Sequence, residues 1–366
     1  MLTLFIFLAV LLVLVLSHEF GHFMAARLCG LKVEEFGFGF PPRLASFMAK
    51  SGTRYSLNWL PLGGFVKIKG EDGASEHDPD SFASHPVWQR MAVVVAGVVM
   101  NFLVGWLLIS LVFFIGTKQY GGGNEAAPTG RAETQIMEIL PGKPAEAAGL
   151  KAGDVITQVD GLIAPRLTEL QEYVNSHKDA NIMVTVRRGS EVFSRSIHPA
   201  VYADTGRGGL GVAIAEVTFI KYPWYRALWQ GAITSVSDVK EIFKGLGALV
   251  AGLFRGAGVG SAVSGPVGVA VMTGQAARLG WATLLQFVAL LSLNLAVLNI
   301  LPIPALDGGR LLFLVLGKIF RRPSTFKYET LIHNIGFIAL ILLVLAVTIK
   351  DVSGFWGVLS GWVKAL

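Results

Sequence analysis

The chain has 366 residues, 53% of them hydrophobic and 15% charged, against roughly 25% charged in a soluble globular protein, and its mean hydropathy is +0.57. That balance excludes a disordered chain and argues against two or three soluble domains. The net charge of +6 comes from basic residues spread along the chain, which is no nucleic-acid footprint, and the single Cys29 excludes both a disulfide framework and a cysteine-based zinc cage.

Four runs are apolar enough to cross a bilayer: Leu2 to Leu28, Met91 to Ile115, Trp281 to Leu301 and Ile332 to Ile349. The first lacks a basic n-region before Phe5 and a small-x-small cleavage site, so it is expected to remain uncleaved. It ends in His18-Glu19-Phe20-Gly21-His22. On a helix, positions four apart differ by about 40° of rotation, so both imidazoles face one way and can share a metal. Glu19 lies about 100° round and can reach a water on that metal, whose pKa zinc lowers to about 7. The alternative is a pair of interfacial histidines at a helix end. If the helix enters hydrocarbon near Thr3, His18 lies roughly 22 Å along it, below the membrane surface. Cys29 reads as a small apolar residue at the helix end.

The loop after this run carries Arg27, Lys32, Arg43, Lys50, Arg54, Lys67, Lys69 and Arg90. Residues 310–330 carry Arg310, Lys318, Arg321, Arg322 and Lys327 against Glu329. The positive-inside rule then puts residues 29–90 and 303–330 in the cytoplasm, with the N-terminus and residues 116–280 outside. Tyr55, Leu57 and Trp59 alternate with Ser56 and Asn58, Pro61 to Gly64 form a turn, and Phe65 to Lys69 return. This is a hairpin pattern. A hairpin dipping into the membrane must line a cavity, and its edge can take an extended peptide as an added strand. Asn58, Trp59, Gly63 and Gly64 are its candidates for substrate contact. The alternative is a small cytoplasmic β cap. Residues 121–130, Gly-rich with Pro128, read as a linker.

Downstream, Thr168 to Gln171 fits a capping box, Leu167, Leu170 and Val174 form a stripe, and Ile182, Val184 and Val186 alternate as a strand. Pro223 to Lys244 mixes Trp224, Tyr225 and Trp229 with charges. It reads either as an amphipathic helix on the outer membrane face or as a plain surface helix. Ala248 to Met272 is Gly-rich and broken by Arg255 and Pro266, which suggests an interfacial segment or one packed on the bundle. The third run leads into Asn299-Ile-Leu-Pro-Ile-Pro-Ala-Leu-Asp307-Gly-Gly. Spans one and three both run outward to inward, so Asp307 falls at the same face as His22 and is the best third ligand. Pro302 and Pro304 end the helix, and Gly308-Gly309 permit a tight turn around the carboxylate. Glu329 and His333, four apart, are rivals for that place, and a helix-stop loop with a solvated aspartate is the alternative.

Taken in order, these motifs resemble the site-2 protease family of intramembrane zinc metalloproteases, most closely its bacterial group of regulators of sigma-E. The shared features are HExxH in span one, Gly37-Phe38-Gly39-Phe40, the Ser264-Gly265-Pro266-Val267-Gly268 stretch and Asn-x-x-Pro-x-Pro-x-x-Asp-Gly-Gly. A PDZ-like module at 131–200 belongs to the same resemblance. The segment from Ile139 to Asp154 is similar to the turn before a PDZ strand. Two features depart from the pattern. A proline is missing at Gly97-Val98-Val99-Met100-Asn101, and there is room for one PDZ module where some members have two.

The resemblance implies Zn2+ held by His18, His22 and Asp307, with Glu19 as general base. It places Asn294 and Asn299 near the substrate backbone, where helix–helix hydrogen bonding is their alternative role. The implied fold is a polytopic α-helical membrane protein of about four transmembrane helices, with a re-entrant β-hairpin and one extracytoplasmic PDZ-like domain. Its parts would be residues 1–120, 121–205, 206–280 and 281–366. The implied activity is cleavage of single-span proteins in the bacterial cytoplasmic membrane, with anti-sigma factor type substrates and remnant signal peptides as targets. The PDZ-like groove would bind a protein terminus or exclude bulky ectodomains. An inactive PDZ-bearing scaffold with a structural metal is the alternative. A metal transporter should show more crossings and more polar spans.

Overall fold

The computed structural model describes residues 2–71, 77–120, 132–202, 206–256, 264–320 and 326–354, so the expected linker at 121–130 lies outside the described residues. In chain order the elements are α1 (Leu2–Leu28), β1 (Val33–Met48), β2 (Arg54–Ile68), α2 (Val87–Ile115), β3 (Thr117–Tyr120), β4 (Glu133–Ile139), α3 (Pro144–Ala147), β5 (Val155–Val159), β6 (Leu162–Ile163), α4 (Leu167–Ser176), β7 (Ile182–Arg188), β8 (Glu191–Ile197), β9 (Ala200–Val201), β10 (Gly208–Gly209), β11 (Val212–Ile220), α5 (Trp224–Phe254), α6 (Pro266–Leu279), α7 (Trp281–Ile300), α8 (Asp307–Ile319) and α9 (Phe326–Gly354). They divide into two units, one of Met1–Val112 with Leu228–Leu366, the other of Phe113–Ala227.

Among the described residues the first unit contains four helices long and apolar enough to span a membrane: Leu2–Leu28, Val87–Ile115, Trp281–Ile300 and Tyr328–Gly354. Lipid offers no hydrogen bonds, so apolar segments of this length satisfy their backbone internally as helices. Small residues then let the helices approach closely. A side chain at Gly21 would collide with the backbone of Ala96 and Gly97, so α1 and α2 touch there. One at Gly105 would come within 2.7 Å of Leu293 on α7. On α5, the carbonyl of Leu228 accepts the Trp106 indole N–H at 2.9 Å. The helix expected over Pro223 to Lys244 therefore runs on to Phe254 and is tied to α2.

Pro266, which looked like a break in sequence, is the first residue of α6, where a missing N–H costs nothing. α6 packs against α1, α7 and α9. The Asp351 carboxylate of α9 accepts the N–H groups of Gly265 and Gly268 at 2.8 and 2.7 Å, which accounts for the Ser264–Gly268 stretch as a helix start.

The hairpin pattern of residues 54–69 is resolved differently from its sequence reading. β2 continues through Pro61 to Gly64, and each half of it pairs with β1. Phe36, Gly37 and Phe38 lie opposite Val66, Phe65 and Gly64, and also opposite Tyr55, Ser56 and Leu57. The Gly37-Phe38-Gly39-Phe40 run is thus the middle of a small sheet. Gly37 has no room for a side chain because the Phe65 ring fills the space. The sheet packs on α1. Its buried floor joins Ala26, Leu31, Val33, Ile68, Val93 and Leu314.

The second unit is a sheet in the order β3-β11-β4-β5-β7-β8, with β6 beside β5. Ile136, Ile156, Val159, Leu170, Val174, Ile182, Val184 and Val186 make its core. The capping box read at Thr168–Gln171 lies two residues earlier. α4 starts at Leu167, and the Glu169 carboxylate accepts the Arg166 N–H at 3.0 Å. Asp154, whose side chain is 1% exposed, is gripped by Arg188 at 2.7 Å.

Candidate metal centre

His18 and His22 stand on one face of α1, as their four-residue spacing requires. Asp307 reaches them from the first position of α8. α7 ends at Leu301, which the following Pro302 forces into extended backbone. Four residues later Ala305 takes a left-handed φ of +78°, and α8 begins. Gly308 and Gly309 are obligatory in this turn, because a Cβ at either would run into the carbonyls of Ile300, Leu301 or Ile303.

The result is a tight group. His18 Nε2 lies 3.0 Å and His22 Nε2 3.3 Å from Asp307 Oδ2, and the two nitrogens are 3.2 Å apart. Each side chain is under 20% exposed. His22 Nδ1 sits 2.8 Å from the carbonyl oxygen of Val93. A carbonyl only accepts, so Nδ1 carries the proton and Nε2 keeps its lone pair. Among the described residues Asp307 Oδ2 is buried and has no hydrogen-bond partner. Two imidazole nitrogens and one carboxylate oxygen facing one another at this range, with an orphaned oxygen among them, fit a divalent cation that takes nitrogen and oxygen ligands, zinc above all. Among the described residues this is the group able to hold a metal.

The surroundings orient the rings. The Asn101 side chain, fully buried on α2, lies 3.3 Å from His18 Nδ1, and its own Oδ1 is unpartnered among the described residues. Turning that amide about its Cβ–Cγ bond lets Oδ1 accept the Nδ1 proton of His18, as the Val93 carbonyl does for His22. Gly97 on α2 leaves the space that the rings occupy. A Cβ there would strike His22 and come within 2.8 Å of His18. Asn101 and Gly97 appeared in sequence only as a motif lacking its proline. The signal for Asn101 was a polar side chain inside an apolar run.

The remaining expected residues divide. Glu19 is next to His18, and β2 meets α1 beside it, since a Cβ on Gly64 would lie 3.2 Å from Glu19 Cγ. Asn299 places its amide nitrogen 3.4 Å from His18. Asn294 is turned away and donates within its own helix to the Leu290 carbonyl at 2.9 Å. Asn58 is buried and donates to the Gly39 carbonyl at 3.0 Å, while Trp59 beside it is 65% exposed. Gly63 takes φ +93°, which suits only glycine. His333 is turned to the backbone, with Nδ1 accepting the Ala305 N–H at 3.0 Å. Arg310, one turn along α8 from Asp307, pairs with Glu71 after β2.

The model of peptidase family M50 matches residues 6–343. The chain belongs to this family, the site-2 protease family that its motifs resemble. The M50 chain is similar to a Clostridium perfringens protein whose name proposes a zinc metalloprotease. They are 35% identical over 340 residues, covering 93% of this chain and 95% of the relative. A Nostoc relative with the same kind of name is 33% identical, covering 98% of each. The regulator of sigma-W protease RasP of Bacillus subtilis is 28% identical, covering 93% of this chain and 96% of RasP. A solved PDZ domain of a Listeria monocytogenes SdrC-like protein is similar at 23% identity and TM-score 0.21, covering 22% of this chain and 85% of that one. The M50 chain is a zinc metalloprotease, with four apolar helices able to span a membrane among the described residues.

Proposed function

We propose that this protein is an intramembrane endopeptidase that hydrolyses a peptide bond within or near the membrane segment of a single-span protein. The observation that carries the reading is the convergence of His18, His22 and Asp307 on one point, with Glu19 alongside, on helices built for lipid. His18, His22 and Asp307 would hold the zinc. When bound, zinc acidifies a water and polarises a carbonyl. Glu19 takes the proton of the attacking water and passes it to the departing amide nitrogen. The Val93 carbonyl and Asn101 keep the imidazoles in the tautomer that leaves Nε2 to the metal. Asn299 stands near enough to hydrogen-bond the substrate backbone.

A helical substrate hides its carbonyls, so it must be drawn out before cleavage. The β2 backbone at Gly64 lies next to Glu19, and with Gly63 before it an extended segment can add to the sheet there. Trp59 offers an exposed apolar surface on the same strand. Asn58 supports the sheet through Gly39, and Asn294 acts within α7. The residue roles, the re-entrant placement of the sheet and the cytoplasmic side of the centre are parts of this proposal. So are the extracytoplasmic position of the N-terminus and of the 131–200 module, and the four-part division of the chain. The module's PDZ-like role would be to hold a substrate terminus or to exclude large ectodomains. RasP's name supports anti-sigma factors as the substrate class, with remnant signal peptides as a second.

Purified protein in proteoliposomes with a single-span substrate tests this. Glu19→Gln should lose about 10²–10⁴-fold in cleavage while retaining zinc, and Asp307→Ala should lose both. Cleavage that persists in both variants refutes the reading.

A further inference from the structure

The turn that delivers Asp307 is held from outside by α9. Ala305 stands two residues before Asp307 at φ +78°, a conformation that a residue with a Cβ keeps only where its surroundings enforce it. Two contacts from α9 do so. His333 Nδ1 accepts the Ala305 N–H at 3.0 Å. Three residues along, Gly336 lets the helix lie directly on Pro304, since a Cβ there would come within 2.8 Å of that residue's carbonyl carbon and oxygen. Among the described residues His333 Nε2 is buried and makes no hydrogen bond, so the ring's polar contact there is the one to Ala305. An imidazole that accepts at Nδ1 carries its proton on Nε2, and it offers no lone pair to a metal there. The Phe313 ring of α8 packs against the imidazole, with ring centroids 5.7 Å apart.

We infer that His333 is a positioning residue for Asp307: by accepting the Ala305 N–H it holds the left-handed turn that aims the carboxylate, and so sets how tightly the His18–His22–Asp307 group grips its metal. This rests on the zinc-binding reading above. It replaces the rival role in which His333 is itself a ligand.

The test measures zinc dissociation from the purified full-length protein by competition with a chromogenic chelator, alongside thermal unfolding of the metal-stripped protein. His333→Leu should weaken zinc about 10–100-fold, the range for groups that orient a ligand from behind. It should leave the metal-free unfolding temperature near that of the parent. His333→Asn puts Oδ1 where Nδ1 stood and should recover most of the loss. Gly336→Ala, which pushes on the same turn without touching the hydrogen bond, should also weaken zinc. In an Asp307→Ala background, His333→Leu should cost nothing further. Native zinc affinity in His333→Leu, with the loss in Asp307→Ala intact, overturns this inference alone. So does an equal His333→Leu loss with and without Asp307. Native affinity in Asp307→Ala overturns the ligand assignment and this inference with it.

Discussion

In the Phe113–Ala227 unit an aliphatic cluster forms the core: Ile136, Val159, Val184 and Val186 are fully buried among strands β4, β5 and β7, with Asp154 as a buried charge beside it. In the other unit, large apolar side chains such as Phe5, Leu107, Ile338 and Leu342 stand exposed, while Asn101, Ser235, Thr273 and Ser292 are fully buried. Water drives apolar groups inward in the first case. Lipid tails are as apolar as leucine, so in the second case helices associate through close packing and polar contacts instead. The lesson is that the His18–His22–Asp307 group sits among buried polar side chains and closely approaching backbones. Its tolerance to substitution should therefore follow space and hydrogen bonding rather than buried area.

Gly97→Ala gives the largest expected break. In an ordinary helix the change gains about 1 kcal/mol. Here the new methyl enters the space of His22 and His18. Cleavage and zinc retention should each fall about 10²-fold, with helix content by circular dichroism unchanged. A Gly97→Ala protein that holds zinc normally would show that α2 can move away from α1, and that closeness is not what shapes the centre.

The convergence of His18, His22 and Asp307 was legible because its physics is local. Two histidines four apart share a helix face wherever the helix goes, and Pro302, Pro304, Gly308 and Gly309 announce a turn around Asp307. What was missed depends on neighbours distant in sequence. Gly97 is one small residue in an apolar helix, and only the rings across from it give it meaning. Gly37-Phe38-Gly39-Phe40 followed by Pro41-Pro42 carries poor strand propensity, so β1 was not read as the partner that separates the two halves of β2. His333 was visible as a polar group in an apolar run. Its target, a backbone N–H 28 residues away, was not.

The next effect belongs to the water-soluble style of burial. Burial pushes the Asp154 carboxyl up, but the Arg188 guanidinium and the Lys151 N–H more than reverse this and hold it below the usual carboxylate range. A carboxyl lowered in the folded state contributes stability that is complete above its unfolded pKa, about 3.9, and is lost as pH falls through the folded value. Arg188→Ala should destabilise the module near neutrality, where the Asp154 carboxylate would be left buried without its cation. It should also shift the acid-side loss of stability to higher pH. Hydrogen exchange of β5 and β7 in the full-length protein, followed from pH 7 to pH 3, reads both. The Arg310–Glu71 pair makes the contrast. The Arg310 side chain is 42% exposed, so Glu71→Gln should cost no more than about 1 kcal/mol.

The smallest effect is the most direct comparison, because each unit holds a matched bond. Ser292 Oγ on α7 donates to the Asn101 carbonyl at 2.7 Å, and Thr134 Oγ1 on β4 donates to the Pro165 carbonyl at the same distance, all in buried surroundings. Asn101 lies inside α2, so its carbonyl already accepts an intrahelical N–H, and the serine serves only the second lone pair. In a bilayer the unfolded reference also finds partners for a hydroxyl, which holds such bonds to about 0.6 kcal/mol. In water the broken bond leaves a desolvated carbonyl behind, and about 1–3 kcal/mol is at stake. Ser292→Ala should therefore cost less than Thr134→Val when the first is followed by unfolding in mixed micelles and the second by hydrogen exchange of β4. If Ser292→Ala proves the costlier of the two, polar contacts rather than close backbone approach hold the helices around the His18–His22–Asp307 group. The Gly97 result would then need to be read through Asn101, whose backbone Ser292 secures and whose amide faces His18.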